Sequence, residues 1–181
     1  MNLPGWLVVS DPRRARLLRG VLRRLPEIEG APIRVTSQPR LRDRRGAVDA
    51  GAFLRQRKLV FACTRAEFPR IFAHELFHFV WLRAGNRVRR AWEAHLAAEW
   101  RSGARGELGW SAEWRKRALD AAAIAARSRR WREYCCESFC DTAAWLYGGA
   151  GRHAEFTLAP QRRKRRAAWF EAALGGRRLS V

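Results

Sequence analysis

Apolar positions along the chain fall into two kinds of block: short continuous runs, and longer stripes at three- and four-residue spacing. The first kind predicts strands and the second helices. Leu7-Val8-Val9 reads as a short strand, and Pro32 to Ser37 as another. Between them Asp11 and Pro12 open a helix to about Leu25, with Leu17, Leu18, Val21, Leu22 and Leu25 as its stripe. The arginine-rich residues 38 to 46 read as a loop. Gly46 to Leu54 and Lys58 to Phe61 read either as a hairpin or as a surface loop marked by glycines.

Arg57 to Cys63 predicts a strand leading into a helix through Ile71, Phe72, Leu76, Phe79, Val80 and Leu82. That helix starts at Thr64, through a Thr64-x-x-Glu67 capping box, or nearer Pro69, and Gly85 stops it. Val88 to Trp100 is helical, with Trp92, Leu96 and Trp100 on one stripe. Gly103, Gly106 and Gly109 make residues 101 to 110 a loop, either a cover over a cleft or a connector. Ser111 is expected to cap a long helix to about Arg130. Tyr134 to Tyr147 has helical apolar spacing and ends at Gly148-Gly149. Pro160 opens a last, basic helix, about residues 160 to 175, expected to dock through Trp169, Phe170 and Leu174. The sum is an α+β fold, a small sheet packed on a mostly helical bundle, in one domain over residues 1 to 181.

The chemistry concentrates in His74-Glu75-Leu76-Phe77-His78. Two histidines four apart on a helix point the same way and can grip one zinc ion. The glutamate between them then faces a metal-bound water as a general base. A catalytic zinc needs a third protein ligand and one open position. Glu137 is the leading candidate, and Glu133, Glu93, Glu99 and His95 are the rivals. Asp141, four residues beyond Glu137, would accept the free ring N–H of a ligating histidine. An oxyanion donor is expected from Tyr147 or His153, with Tyr134 and His95 also open.

On His74-Glu75-x-x-His78 followed by Glu137-x-x-x-Asp141, over roughly residues 46 to 147, the chain resembles the gluzincin branch of zinc metallopeptidases. It is similar in this to small ImmA/IrrE-like metallopeptidase domains. The resemblance implies a minimal zincin core, peptide-bond hydrolysis by a zinc-activated water, and a peptide or protein substrate laid as a strand along a sheet edge. Two other readings compete: a zincin-fold regulatory or binding protein with little turnover, and a basic nucleic-acid-binding protein.

Charge bears on the last of these. The net charge is +20, and every basic residue except Lys58, Lys116 and Lys164 is arginine. Arg162-Arg163-Lys164-Arg165-Arg166 and Arg127-Ser128-Arg129-Arg130 read either as patches for nucleic acid or an acidic partner, or as solvated helix faces. No zinc-finger or RNA-binding signature accompanies them. Cys63, Cys135, Cys136 and Cys140 are expected to be thiols and small core residues. Cys136 and Cys140 share a helix face, but no second cysteine pair completes a structural zinc site. There is no long apolar span and no secretion signal, so a cytoplasmic location is expected.

Overall fold

The computed structural model describes residues 3–43 and 46–181. The chain runs β1 (Leu7–Val9), α1 (Pro12–Leu22), β2 (Ile28–Glu29), β3 (Ile33–Ser37), β4 (Leu41–Asp43), β5 (Gly46–Val48), β6 (Ala50–Phe53) and β7 (Lys58–Phe61). Then come α2 (Phe68–Arg83), α3 (Gly85–Arg101), α4 (Trp110–Arg117), α5 (Ala121–Ala125), α6 (Arg129–Tyr147), α7 (Pro160–Leu174) and β8 (Leu179–Ser180). The fold is α+β, as the patterning predicts.

The sheet has the order β1-β3-β7-β6. β1 and β3, and β3 and β7, are parallel, while β6 returns antiparallel on β7 with Ala50 opposite Phe61 and Phe53 opposite Lys58. The hairpin reading thus holds for residues 50–61, and its turn carries Arg57 at φ 47°. The arginine-rich stretch departs from the loop expectation. Leu41–Asp43 pairs antiparallel with Gly46–Val48 in a separate ribbon, and β6 is one of the two edge strands of the main sheet. The two-residue pairing of β2 with β8, parallel, has no periodic signal in so short a run.

Helix α1 opens as expected, with the Asp11 carboxylate accepting the Arg13 N–H at 2.8 Å and Pro12 in the first turn. It ends at Leu22, and a final turn carries the Leu25 N–H to the Val21 carbonyl. Pro26 follows, which disfavours helical backbone at Leu25. Helix α2 begins at Phe68, and Thr64 supplies a turn before it by accepting the Glu67 N–H. Gly85, at φ 71°, takes the left-handed bend between α2 and α3.

The long helix expected from Ser111 to Arg130 is instead α4, α5 and the first turn of α6. Local side chains compete with the backbone here. Asp120 accepts the Ala123 N–H, Arg127 adopts φ 46°, and Ser128 accepts the Trp131 N–H.

Helix α2 packs chiefly on α6. It is apolar almost all round and buries Phe68, Ile71, Phe72, Ala73, Leu76, Phe77, Phe79 and Val80. Such a helix belongs in the interior. Phe77, Trp92, Phe139 and Phe170 interlock beneath it, and Phe139 meets Phe170 at 4.9 Å between ring centroids. Phe170 and Leu174 are buried as expected, and Trp169 packs on Trp92 at 4.7 Å.

The basic run opening α7 is not one surface patch. Arg166 is fully buried, with Nη2 at 2.6 Å from Glu99 Oε2 and Nη1 at 2.7 Å from Glu107 Oε2. Glu107 also takes Lys116 Nζ at 3.0 Å and the Tyr134 hydroxyl at 2.6 Å. Arg163 donates to the carbonyls of Leu158 and Phe156. Arg127 pairs with Glu93, and Arg129 with Glu133. The buried cluster ties residues 99–116 to α6 and α7, and so fixes α4 against α6.

Candidate metal centre

Burying α2 on all sides leaves its polar residues needing internal partners. His74, Glu75 and His78 find theirs on α6, on the sheet edge and in one cleft. His74 Nε2 lies 3.3 Å from His78 Nε2 and 3.4 Å from Glu137 Oε2. Two nitrogen or oxygen ligands at zinc bonding distance around a tetrahedral ion stand about 3.3–3.4 Å apart. Two of the three edges therefore already match a zinc site, and the donor atoms of all three side chains lie within 4.8 Å of one another.

The outer contacts set the ring orientations. His74 Nδ1 is 2.8 Å from Asp141 Oδ1, and His78 Nδ1 is 3.5 Å from Cys136 Sγ. Neutral rings that donate Nδ1–H to these acceptors would turn both Nε2 lone pairs toward an ion held with Glu137. Lone pairs and a carboxylate repel one another unless a cation sits between them, so the arrangement suits a metal.

The surrounding carboxylates favour positive charge here, which the histidines' own protons supply when no ion is bound. Burial opposes charge on His74, but Asp141, Glu137 and Glu75 outweigh it and hold its pKa well above the ordinary value. Burial likewise opposes charge on His78, yet Cys136 and Glu137 push its pKa up to about 9. Glu137, against its own burial, is held down to about 2 by His74, His78 and Arg115. Burial raises Glu75, with the two histidines pulling the other way. A carboxylate raised toward neutrality suits a general base. Glu75 lines the cleft together with Ala52 of edge strand β6, whose backbone helps lower its pKa.

The cleft has a volume of about 590 Å³. One wall is Ala47 to Ala52, the floor is His74, Glu75, His78 and Glu137, and the far wall is α4 with Trp110, Ser111, Trp114 and Arg115. Two distant carboxylates fix α4. Glu155 accepts the Trp110 N–H at 2.9 Å, and Asp141 accepts the Ala112 N–H at 3.0 Å. Carboxylates at a helix N-terminus satisfy its free N–H groups and its dipole. The helix therefore starts at Trp110, after Gly109, rather than at Ser111. A Cβ on Gly109 would overlap the Asp141 carboxylate, so glycine is required there. Asp141 thus holds both His74 and the wall helix.

Among the residues expected from the sequence, His74, Glu75, His78, Glu137 and Asp141 line this one cleft. The rival ligands are elsewhere: Glu93 pairs with Arg127, Glu133 with Arg129, and Glu99 with Arg166, while His95 stacks on Trp92. The two expected oxyanion donors also fall outside it. Tyr147 stacks on Phe77, and burial pushes its pKa up to about 12, with Glu171 adding to the rise. His153 faces Glu67 at 3.3 Å in the Glu67–Arg70–Glu155 network beside the cleft. Tyr134 is spent on Glu107.

Arg115 went unnoticed in the sequence. Its Nη2 is 3.0 Å from Glu137 Oε1, its guanidinium lies over Trp114, and its buried Nε has no partner among the described residues. The signal was Trp110-x-x-x-Trp114-Arg115, aromatic side chains on a short helix with no apolar stripe to dock them.

Asp141→Asn should lower zinc affinity about 10–100-fold, because a neutral amide orients His74 less firmly and makes it less basic. A competition titration against a chelating dye measures this, and an unchanged affinity would contradict Asp141's role.

Comparison with protein-family models, with curated proteins and with solved structures found no match.

Proposed function

We propose that the chain is a zinc-dependent metallopeptidase of the gluzincin type, built on a minimal zincin-like core. The observation that carries this is that His74 Nε2 stands at tetrahedral edge distance from both His78 Nε2 and Glu137 Oε2, with all three donors within 4.8 Å and Glu75 alongside in an open cleft. Bound there, zinc would acidify a water and polarise a carbonyl.

The chain's own residues do the rest. Glu75 takes the proton from the attacking water and delivers it to the leaving amide nitrogen. Arg115, which lines the cleft beside Glu137, stabilises the oxyanion, the part the sequence alone offered to Tyr147 or His153. The edge of β6 offers its backbone to an extended peptide, whose apolar side chains meet the half-exposed Trp110 and Trp114. Among the described residues no helix is long and apolar enough to cross a membrane. Four free thiols fit a reducing compartment, the cytoplasm.

The test is hydrolysis of a fluorogenic peptide library by zinc-loaded wild type and Glu75→Gln. The glutamine keeps the shape and loses the base, so kcat/KM should fall about 10²–10⁴-fold at unchanged zinc content. Activity within tenfold of wild type would remove Glu75 from the mechanism. A wild type that holds zinc and cleaves nothing would favour a binding role.

A further inference from the structure

His78 has two faces, and only one belongs to the centre described above. Its Nε2 points at His74, while its Nδ1 lies 3.5 Å from Cys136 Sγ. Cys140 follows Cys136 by one helical turn along α6. One donor atom from each of His78, Cys136 and Cys140 lies within 4.8 Å of the others. In a tetrahedral site, a thiolate at about 2.3 Å and an imidazole nitrogen at about 2.0–2.1 Å stand about 3.6 Å apart. The His78–Cys136 separation already matches that edge.

We propose that His78 Nδ1, Cys136 Sγ and Cys140 Sγ form a second metal site, suited to a thiophilic ion of the monovalent-copper or cadmium class over any hard cation. Three features favour such an ion. The donors are two sulfurs and an imidazole, a soft set with no oxygen among them. Cys140 and its apolar neighbours on α6 exclude water, which removes competing hard ligands. Cys136 is only half-buried and gives the ion a way in. On binding, both thiols and the His78 Nδ1–H release their protons to solvent, and no electron moves.

The site shares an imidazole with the first centre. If the metallopeptidase reading holds, an ion at the thiol site changes the basicity and orientation of a catalytic ligand, and a soft metal becomes an inhibitor acting from behind His78. That coupling rests on the function proposed above, whereas the thiol site itself does not.

The probe is cadmium, added to reduced, tag-free protein and followed by thiolate-to-metal charge-transfer absorption in the ultraviolet. Wild type should develop the band to saturation at one added cadmium per chain. A Cys63→Ser/Cys135→Ser control should match it, and Cys136→Ser/Cys140→Ser should lose it. Glu137→Gln should keep the band, since Glu137 serves only the first centre; a loss of zinc in that variant reports on the peptidase reading separately. Removing an outer-shell partner already costs about tenfold in affinity, so losing a direct ligand in His78→Ala should weaken cadmium binding by at least that much. That variant decides the matter if the double cysteine variant does not fold. No band in wild type with its thiols titrating as free, a band that survives Cys136→Ser/Cys140→Ser, or unchanged affinity in His78→Ala would each overturn the site.

Discussion

Arg166→Leu should cost the fold about 3–5 kcal/mol, the range for removing one partner from a buried ion pair. Arg166 is fully buried and is the main cation for two carboxylates. Without it, Glu107 keeps Lys116 and Tyr134, but Glu99 is left with His95 at 3.3 Å. Leucine fills part of the volume and offers no donor. Domains are stable by only about 5–15 kcal/mol, so the variant sits near the edge of folding.

The loss also has a pH signature. Burial pushes the Glu99 pKa up, but His95 and Arg166 hold it down to about 2. A depressed carboxylate stabilises the fold above its unfolded value, and that contribution drains away as pH falls from about 4.5 toward 2. In Arg166→Leu burial prevails, Glu99 binds a proton more readily in the folded state, and acid relieves the strain. The stability gap between wild type and variant should therefore narrow as pH falls from 7 to 4.5. Urea titrations at the two pH values measure it. A gap below about 1 kcal/mol at pH 7, or one that widens in acid, would contradict the network's role.

Arg166 also marks where sequence reading stops. Inside Arg162-Arg163-Lys164-Arg165-Arg166 nothing separates the one buried arginine from its neighbours, because its partners, Glu99 and Glu107, are far away in the chain. The α4 wall is hidden for the same reason. Asp141 and Glu155 cap it from 29 and 45 residues away, so a search for a local cap settles on Ser111. Arg115 enters the cleft only because α4 is placed there. What is legible is what helical periodicity alone controls. His74 and His78, and Glu137 and Asp141, each lie four apart, and each pair needs only its own helix to share a face. The β6–β7 hairpin is half legible, since the glycines of its first strand suit a surface loop equally well. The same periodicity puts Cys136 and Cys140 on one face, but that His78 turns its second nitrogen to them depends on how α2 meets α6.

The other large effect is on the metal itself. Removing His78 or Glu137 leaves two donors of three, and His74 alone with one partner cannot close a tetrahedral site. Zinc should also act as a folding ligand, since binding the native state alone adds about 4 kcal/mol at a thousand times Kd. The thermal midpoint of wild type should thus rise with added zinc, while those of His78→Ala and Glu137→Ala should hardly move.

The most direct measurement is zinc content by elemental analysis of tag-free wild type, His78→Ala and Glu137→Ala, each supplied with zinc and dialysed. The account predicts close to one zinc per wild-type chain and almost none in either variant. A wild type that retains no zinc, or a Glu137→Ala that retains as much as wild type, would contradict it.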